Sequence, residues 1–348
     1  MGKIDELYEI RLATIDDVDA IMDFIRREWN ENHILATNHD LFLWQYGRTE
    51  YGDNHDINVL LMIKRSNGEV MGMQGFVQYS EDRESSQIST AIIKISSQAK
   101  IPMAGVELIR RQKDFIGSSG CFASGVNPKT IMPIYEKIFK HKTGIMQQYY
   151  VLNTNIMEYK IADIKENRPP VYINAGYSFR RMETMEELKD KFEIERCYDR
   201  LPVKSEQYYK KRYFDHPIYQ YVVYGIINPS KHCVGVIFTR EICINGSKVL
   251  RIVDYRGNLE ELGNIGNCLE ELMSDNRYEY IDLMASDLDE TVMNRAGFTL
   301  LAPEGPNIIP NHFEPFERKN IKIYYHQTVD VVIFKADGDQ DRPNVSFA

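Results

Sequence analysis

The stretch Tyr8-Glu-Ile-Arg-Leu-Ala-Thr-Ile-Asp-Asp17 sets the reading of the whole chain. Tyr8, Ile10 and Leu12 alternate with polar residues, the period-two pattern of a half-buried strand. Thr14 then offers a helix cap. Asp16 and Asp17 fall in a first turn, where negative charge suits the helix dipole. Val18, Ile21, Met22 and Ile25 continue at helical spacing up to about Trp29. An aromatic stretch follows, Leu41-Phe-Leu-Trp-Gln-Tyr46. Two strands, Asn58 to Lys64 and Glu69 to Tyr79, then flank Ser66-Asn67-Gly68, and Asn-Gly between apolar runs is a strong hairpin signal. Beyond the charged residues 80–87 the pattern gives a strand (Thr90 to Ile95) and a helix around Val106, Leu108 and Ile109. A short strand (Cys121 to Val126), a second helix (Lys129 to Phe139) and a strand (Ile145 to Leu152) close the first half.

The second half repeats this order. Ser205 to Phe214 reads as a helix and Tyr221 to Ile227 as a strand. Val234 to Ile244 and Lys248 to Tyr255 form a hairpin around Asn245-Gly246. A helix (Ile265 to Ser274), a strand (Tyr280 to Met284), a short helix ending at Arg295-Ala-Gly-Phe298 and a last strand (Val329 to Lys335) complete it. The recurrence predicts an internal duplication. Residues 1–155 and 203–348 form the two domains. The connector, 156–202, carries Arg168-Pro-Pro170 and the charged run Glu186-Glu-Leu-Lys-Asp-Lys191.

Composition narrows the function classes. A length of 348 residues suits about two domains. Hydrophobic residues at 43% and charged residues at 27% argue against a disordered or collagen-like chain. A net charge of -9 counts against a general nucleic-acid face, so no DNA partner is expected. The longest apolar run, Tyr221 to Ile227, is too short to span a bilayer, so no membrane insertion is expected. Met1-Gly-Lys-Ile-Asp-Glu6 lacks the apolar core of a secretion signal, and Glu6 stands where a myristoylation signal wants Ser or Thr. The five cysteines, at 121, 197, 233, 243 and 268, include no Cys-x-x-Cys. No two of the eight histidines form a His-x-x-x-His pair, so no metal is expected. These features together predict a cytoplasmic protein.

With Ile10-Arg-Leu-Ala-Thr-Ile-Asp-Asp17 as its opening, and the hairpin, strand and helix that follow, the chain resembles the GNAT (GCN5-related N-acetyltransferase) superfamily of acyl-CoA-dependent N-acyltransferases. The resemblance covers roughly residues 8–152 well and 203–336 more loosely. It implies an α/β (α+β) fold of two tandem domains, each a mixed, mostly antiparallel sheet flanked by helices. It also implies acetyl-CoA, or another acyl-CoA, as co-substrate. The superfamily's phosphate loop has its counterpart in Lys100-Ile-Pro-Met103-Ala-Gly105-Val-Glu-Leu108. Lys100, Gly105 and Leu108 match in kind. Met103 replaces a glycine, and Pro102 removes an N–H. The resemblance implies that Ser96, Ser97, Lys100, Ala104, Gly105 and Val106 hold CoA, the backbone amides approaching its pyrophosphate. A second motif matches Asn127 and Tyr135-Glu-Lys-Ile-Phe139. By resemblance Tyr135 is the acid that protonates the departing CoA thiolate. The residues themselves also admit an ordinary turn and a half-buried helix aromatic.

Other positions stay open. Glu107 and Asp254 are candidate general bases or surface carboxylates. Phe42, Trp44 and Tyr46 are an acceptor-stacking surface or core. Tyr208-Tyr-Lys-Lys-Arg-Tyr-Phe214 is a nucleotide-stacking face or a helix with a solvated basic side. In the second half Met293 stands in place of the motif tyrosine, and Gly263-Asn-Ile-Gly266 is an anion loop or a turn. Asp337-Gly-Asp-Gln-Asp-Arg-Pro343 is a solvated tail, or one folded over a site with Asp341 and Arg342 as polar contacts. The expected activity is acetyl transfer to a primary amine of an amino sugar or nucleotide-sugar. That acceptor follows from a resemblance to tandem members of bacterial surface-polysaccharide gene clusters. The alternatives are an aminoacyl-tRNA-dependent transferase of the same fold and a non-catalytic small-molecule-binding protein.

Overall fold

The computed structural model describes residues 3–99 and 101–344. The opening stretch forms strand Tyr8–Thr14 and, after one tight turn, helix Val18–Glu28, which buries Val18, Ile21, Met22, Phe24 and Ile25. Asp17 ties the turn. Its carboxylate accepts from the Thr14 amide at 2.8 Å and from the Arg11 guanidinium at 2.7 and 2.8 Å. The second Asn-Gly pair makes its hairpin as written. Asn245 and Gly246 both take positive φ, 52° and 69°, as a two-residue turn between right-twisted strands requires.

Two sheets result. The first orders its strands Tyr8–Thr14, Asp53–Lys64, Val70–Gln78, Gln87–Ile95, Gly120–Ser124, Tyr324–Gln327 and Lys142–Ile145, with the short Gly47–Arg48 paired on Asp53–Lys64. The second runs Ser178–Met182, Val222–Ile227, Cys233–Ile244, Ser247–Gly257, Tyr280–Ala285, Gln147–Leu152 and Thr299–Leu300. Each sheet contains one parallel pair: Gln87–Ile95 with Gly120–Ser124 in the first, and Ser247–Gly257 with Tyr280–Ala285 in the second. The helices are spread along the chain between the strands, so each sheet is mixed, mostly antiparallel and helix-flanked.

Four expectations change. Strand Gln147–Leu152 does not close the first half but pairs with Tyr280–Ala285 in the second sheet, while Tyr324–Gln327 crosses back between Gly120–Ser124 and Lys142–Ile145. The halves exchange a strand, because an alternating pattern states that a strand needs neighbours without stating which. The last strand is Tyr324–Gln327, not Val329 to Lys335. The connector is not a free linker either: Ser178–Met182 edges the second sheet. Met185, Leu188, Phe192 and Ile194 share one core with Tyr79 and Phe122 of the first sheet and Val236, Phe238 and Val253 of the second. The predicted helix over 129–139 forms only as Met132–Ile134 and a π turn, Tyr135–Phe139.

Both parallel pairs hold register over three positions and then diverge. The first keeps Gln87↔Gly120, Ile88↔Cys121 and Ser89↔Phe122; the second keeps Leu250↔Ile281, Arg251↔Asp282 and Ile252↔Leu283. In the second sheet the chain's own residues 333–336 fill the gap. The Lys335 amide donates to Met284 O and the Ala336 amide to Val253 O, each at 3.0 Å, so the segment bonds to both diverging strands. Ser286 N also donates to Ile333 O at 2.8 Å, and Ile333 N donates to Ser286 Oγ at 2.8 Å. The second wedge is closed from within.

A buried ion triad holds this plug. Lys204 Nζ lies 2.6 Å from Asp254 Oδ2 and 2.5 Å from Asp337 Oδ1, with all three side chains 2% exposed or less. Burial alone would lower the Lys204 pKa, but Asp254 and Asp337 hold it above its ordinary value. Burial pushes Asp337 up to about 6. Removing the lysine would strand two buried carboxylates side by side, a loss of about 3–5 kcal/mol. Lys204→Met is therefore expected to destabilise the fold on that scale in urea denaturation; a loss below about 1 kcal/mol would show the triad to be dispensable.

Candidate active site

The first wedge is not bridged. Beyond Ser89 and Phe122 the strands part, and the space between them is a cavity of about 620 Å³. One wall is residues 90–94, where the strand bulges opposite Gly75 and its ladder slips register between Gln74 and Phe76. The other is Ala123 to Asn127 with Tyr135. The chain contains a larger hollow, about 820 Å³, between connector residues 191–200 and the second half. The wedge is singled out because it brings parted strand edges and an ionisable hydroxyl together.

Tyr135 sits on the π turn, 4% exposed. Its ring stacks on His326 with centroids 3.7 Å apart, and His141 stacks beside both. Thr90 lies beside the Tyr135 hydroxyl and also reaches His326, Oγ1 to Nε2 at 3.2 Å. Burial raises the Tyr135 pKa well above that of free tyrosine, so the phenol holds its proton at neutral pH. Burial likewise pushes His326 down to about 3, and it lowers His141. The cluster is neutral: one phenol O–H set in stacked, uncharged rings.

The chain's tail forms the remaining wall. Gly338 takes φ 99° against Ser89, where a Cβ would lie 2.5 Å from Oγ. Gly125 takes φ 82° against the Gln340 side chain. Asp339, Gln340 and Arg342 line the wedge, and the same three border a second cavity of about 350 Å³ on their far side. Asp341 points away, held by Arg240 at 2.7 Å and the Tyr221 hydroxyl at 2.8 Å. The folded-over tail is therefore the form adopted.

Of the residues read from sequence, the structure brings Asn127 and Tyr135 into the wedge. Asn127 Oδ1 accepts from the amides of Lys129 and Thr130, which fixes the turn leading to the tyrosine. Ser96 and Ser97 lie at the far end of strand Gln87–Ile95, but their groups are taken. The Ser96 amide donates to Met71 O, and Glu28 accepts from Ser96 Oγ at 2.6 Å and from the Ser97 amide at 3.3 Å. Ala104, Gly105 and Val106 open helix Ala104–Ile116 after Met103, which takes φ 64° in the αL region. Lys100 lies outside the described residues.

Both proposed bases are corrected. Asp254 is fully buried and bonds Lys204, the Tyr213 hydroxyl (2.6 Å) and the Tyr255 amide (2.8 Å), so it is a structural ion. Glu107 is committed to Arg110 at 2.7 Å and Arg111 at 2.8 Å. Phe42 and Tyr46 are fully buried in the core beneath the first sheet, not an acceptor platform. Trp44 packs against His216, the rings tilted with centroids 4.2 Å apart, near the Arg212 guanidinium. The aromatic–basic run at 208–214 is likewise internal. Tyr208, Tyr209, Tyr213 and Arg212 are buried, Lys211 pairs with Glu50 at 2.7 Å, and exposed Lys210 pairs with Asp215 at 2.5 Å. Sequence reasoning missed Thr90, His326, Glu28 and Asp339. Only Asp339 had a visible signal, the closely spaced acids of the tail. Among the described residues no cluster of three or more His, Cys, Asp or Glu could hold a metal ion, and no helix is long and apolar enough to cross a membrane.

No family model and no curated protein sequence matches this chain. Solved structures do. A conserved protein from Enterococcus faecalis V583, described as a "Probable N-Acyltransferase", is 6% identical with a TM-score of 0.54, covering 91% of this chain and 71% of that one. GCN5-related N-acetyltransferases from Anabaena variabilis ATCC 29413 and Kribbella flavida are 11% and 12% identical, each with a TM-score of 0.50. They cover 91% and 92% of this chain and 72% and 71% of their own. At such identity the likeness is one of fold, and this chain has the GCN5-related N-acetyltransferase fold. Within that class it is marked by one open wedge and one closed by its own C-terminal segment.

The histidine cluster predicts an acid response. The folded chain defers protonation of His326 to about pH 3, whereas the unfolded chain takes it up near 6.5. Between those values the unfolded state binds more protons, so stability falls as pH drops, by up to about 1.4 kcal/mol per pH unit. His216, pushed by burial down to about 3, adds in the same direction. Thermal melts from pH 7 to 4.5 should show a falling midpoint, less steep in His326→Gln; a level midpoint would contradict the buried neutral cluster.

Proposed function

We propose that this protein is an acyl-CoA-dependent N-acyltransferase that works through the wedge of its first half. The observation that carries the reading is the open wedge with Tyr135 in its wall, set against the closed wedge of the second half. The acyl–pantetheine arm would lie between residues 90–94 and 123–127. The first-turn amides of Ala104, Gly105 and Val106 would receive the pyrophosphate, as helix N-termini receive anions. The fit is partial. Glu28 occupies the Ser96 and Ser97 groups that the resemblance assigned to the phosphates, so CoA would have to displace that carboxylate.

The chemistry follows from the side chains. Asp339, on the wall shared by the two cavities, takes the proton of the acceptor ammonium. The freed amine attacks the acyl carbon as the carbon–sulfur bond breaks, and Tyr135 gives its proton to the departing sulfur. The second proton, shed by the new amide nitrogen, passes through solvent to restore the Tyr135 phenol, while Asp339 releases its own proton to solvent. No enzyme-bound acyl intermediate forms. The donor favoured is acetyl-CoA, and the acceptor a primary amine of an amino sugar or nucleotide-sugar. Arg212 is buried and Lys211 is half-buried against Glu50, which supports the acyl-CoA reading over the aminoacyl-tRNA one.

Calorimetry with acetyl-CoA tests the donor site. Wild type is expected to bind, and Ala123→Trp, which fills the wedge, to weaken binding at least tenfold. Binding unaffected by Ala123→Trp would place the donor elsewhere. Glu28→Gln is expected to tighten acetyl-CoA binding several-fold by releasing Ser96 and Ser97; weaker binding would show that Glu28 supports the loop rather than competing for it. In a CoA-release assay over amino sugars and UDP-amino sugars, Tyr135→Phe and Asp339→Asn should each lower kcat at least 100-fold with the acetyl-CoA Kd within threefold. Full turnover in either variant would remove that residue from the mechanism.

A further inference from the structure

The second cavity, about 350 Å³, lies between the two halves on the far side of Asp339, Gln340 and Arg342. Several cations line it, and they differ in what holds them. Arg240 is paired with Asp341 at 2.7 Å, and Arg251 with Asp282 at 3.0 and 2.8 Å. Two carboxylates line the cavity: Asp339, on the wall shared with the wedge, and Glu314, which accepts from the Tyr219 hydroxyl at 2.5 Å and from the Asn344 amide at 3.0 Å. Lys335 is different. It is 4% exposed and lines the cavity, yet its Nζ has neither hydrogen bond nor ion pair among the described residues. Arg342 is nearly as exposed in this sense: its Nε is buried without a hydrogen bond, the nearest carboxylate being Asp339 at 3.7 Å.

An ammonium largely withdrawn from bulk water with no counter-ion is costly to keep charged. Burial, with Arg251 close by, pushes Lys335 down to about 7, and Arg240 acts in the same sense while Asp341 and Asp282 act against it. A fold that only needed a side chain to cover the closed wedge would be served by an apolar one. The two incompletely paired cations, Lys335 and Arg342, both line one hollow, and that hollow shares a wall with the wedge.

We infer that this cavity is the acceptor subsite and that it holds an anionic group of the acceptor, a phosphate or a carboxylate, between Lys335 and Arg342. The word acceptor rests on the donor reading given above; the anion site does not. The anion would complete the hydrogen bonding of both cations and anchor the acceptor so that its amine faces Asp339. A neutral amine would leave Lys335 as costly as before, so the subsite selects acceptors that carry negative charge away from the reacting nitrogen.

Calorimetric titration at pH 7 with two probes, UDP for phosphate and D-glucuronate for carboxylate, tests this. At least one should bind wild type, and which one does identifies the source of the charge. Lys335→Met should weaken that probe at least tenfold and Arg342→Gln about fivefold. Without ligand, Lys335→Met should raise the melting temperature, because an unpaired buried ammonium is gone. The acetyl-CoA Kd of Lys335→Met should stay within threefold of wild type, since Lys335 does not line the wedge. Absence of binding by both probes, or affinities unchanged in both variants, overturns the inference while leaving the donor site standing. Lys335-dependent probe binding without any acetyl-CoA binding keeps the anion site and removes the donor reading.

Discussion

One buried ammonium organises this molecule. Lys204 sits on the chain entering the second half, Asp254 on a strand of the second sheet, and Asp337 on the tail. The rings of Tyr79, Tyr208 and Tyr209 surround the ammonium at 5.7 to 5.8 Å. Two carboxylates and one lysine, all dry, can coexist only if each segment is held where it is. The triad therefore fixes the tail, and the tail does two things. Residues 333–336 close the second wedge, and residues 338–342 wall the first.

That arrangement explains how two sheets of one pattern come to differ. Both contain a parallel pair that parts after three positions, which exposes backbone groups in need of partners. In the second sheet the protein supplies them itself, through Lys335 N, Ala336 N and Ile333 O. In the first sheet the gap stays wide enough to be a cavity. The exchange of Gln147–Leu152 for Tyr324–Gln327 makes the halves inseparable, since each sheet is completed by a strand from the other half. Tyr324–Gln327 also brings His326 against Tyr135, so the second half's strand builds part of the first half's site.

The site that emerges is electrically divided. The rings stacked on Tyr135 are neutral, so the proton-holding phenol sits among uncharged rings. Across the tail, the second cavity is charged, with Arg240 and Arg251 in tight pairs, Arg342 only loosely paired and Lys335 in none. A reaction that needs a proton donor in a dry slot and a charged anchor for its other substrate would use that division, and the tail carboxylate Asp339 stands on the boundary.

Much of the architecture could be read from the chain. The strand-to-helix opening at Tyr8 to Glu28 and the turns at Asn67-Gly68 and Asn245-Gly246 depend on contacts between residues a few positions apart. Periodicity and turn chemistry encode those contacts directly. Asn127 and Tyr135 were legible for a related reason, because a short motif positions them locally. Chemistry that depends on distant partners was not legible. Nothing near Asp254 or Glu107 says that one will face Lys204 and the other Arg111, and nothing in Phe42 or Tyr46 says whether a ring faces a cavity or a core. By itself the sequence determined the opening strand and helix, most of the main strands and the hairpin turns. The tertiary structure alone decided which strand completes which sheet, which wedge stays open, and which charges are spent in pairs. Those outcomes turn on long-range burial and charge pairing, which residue order along the chain does not specify.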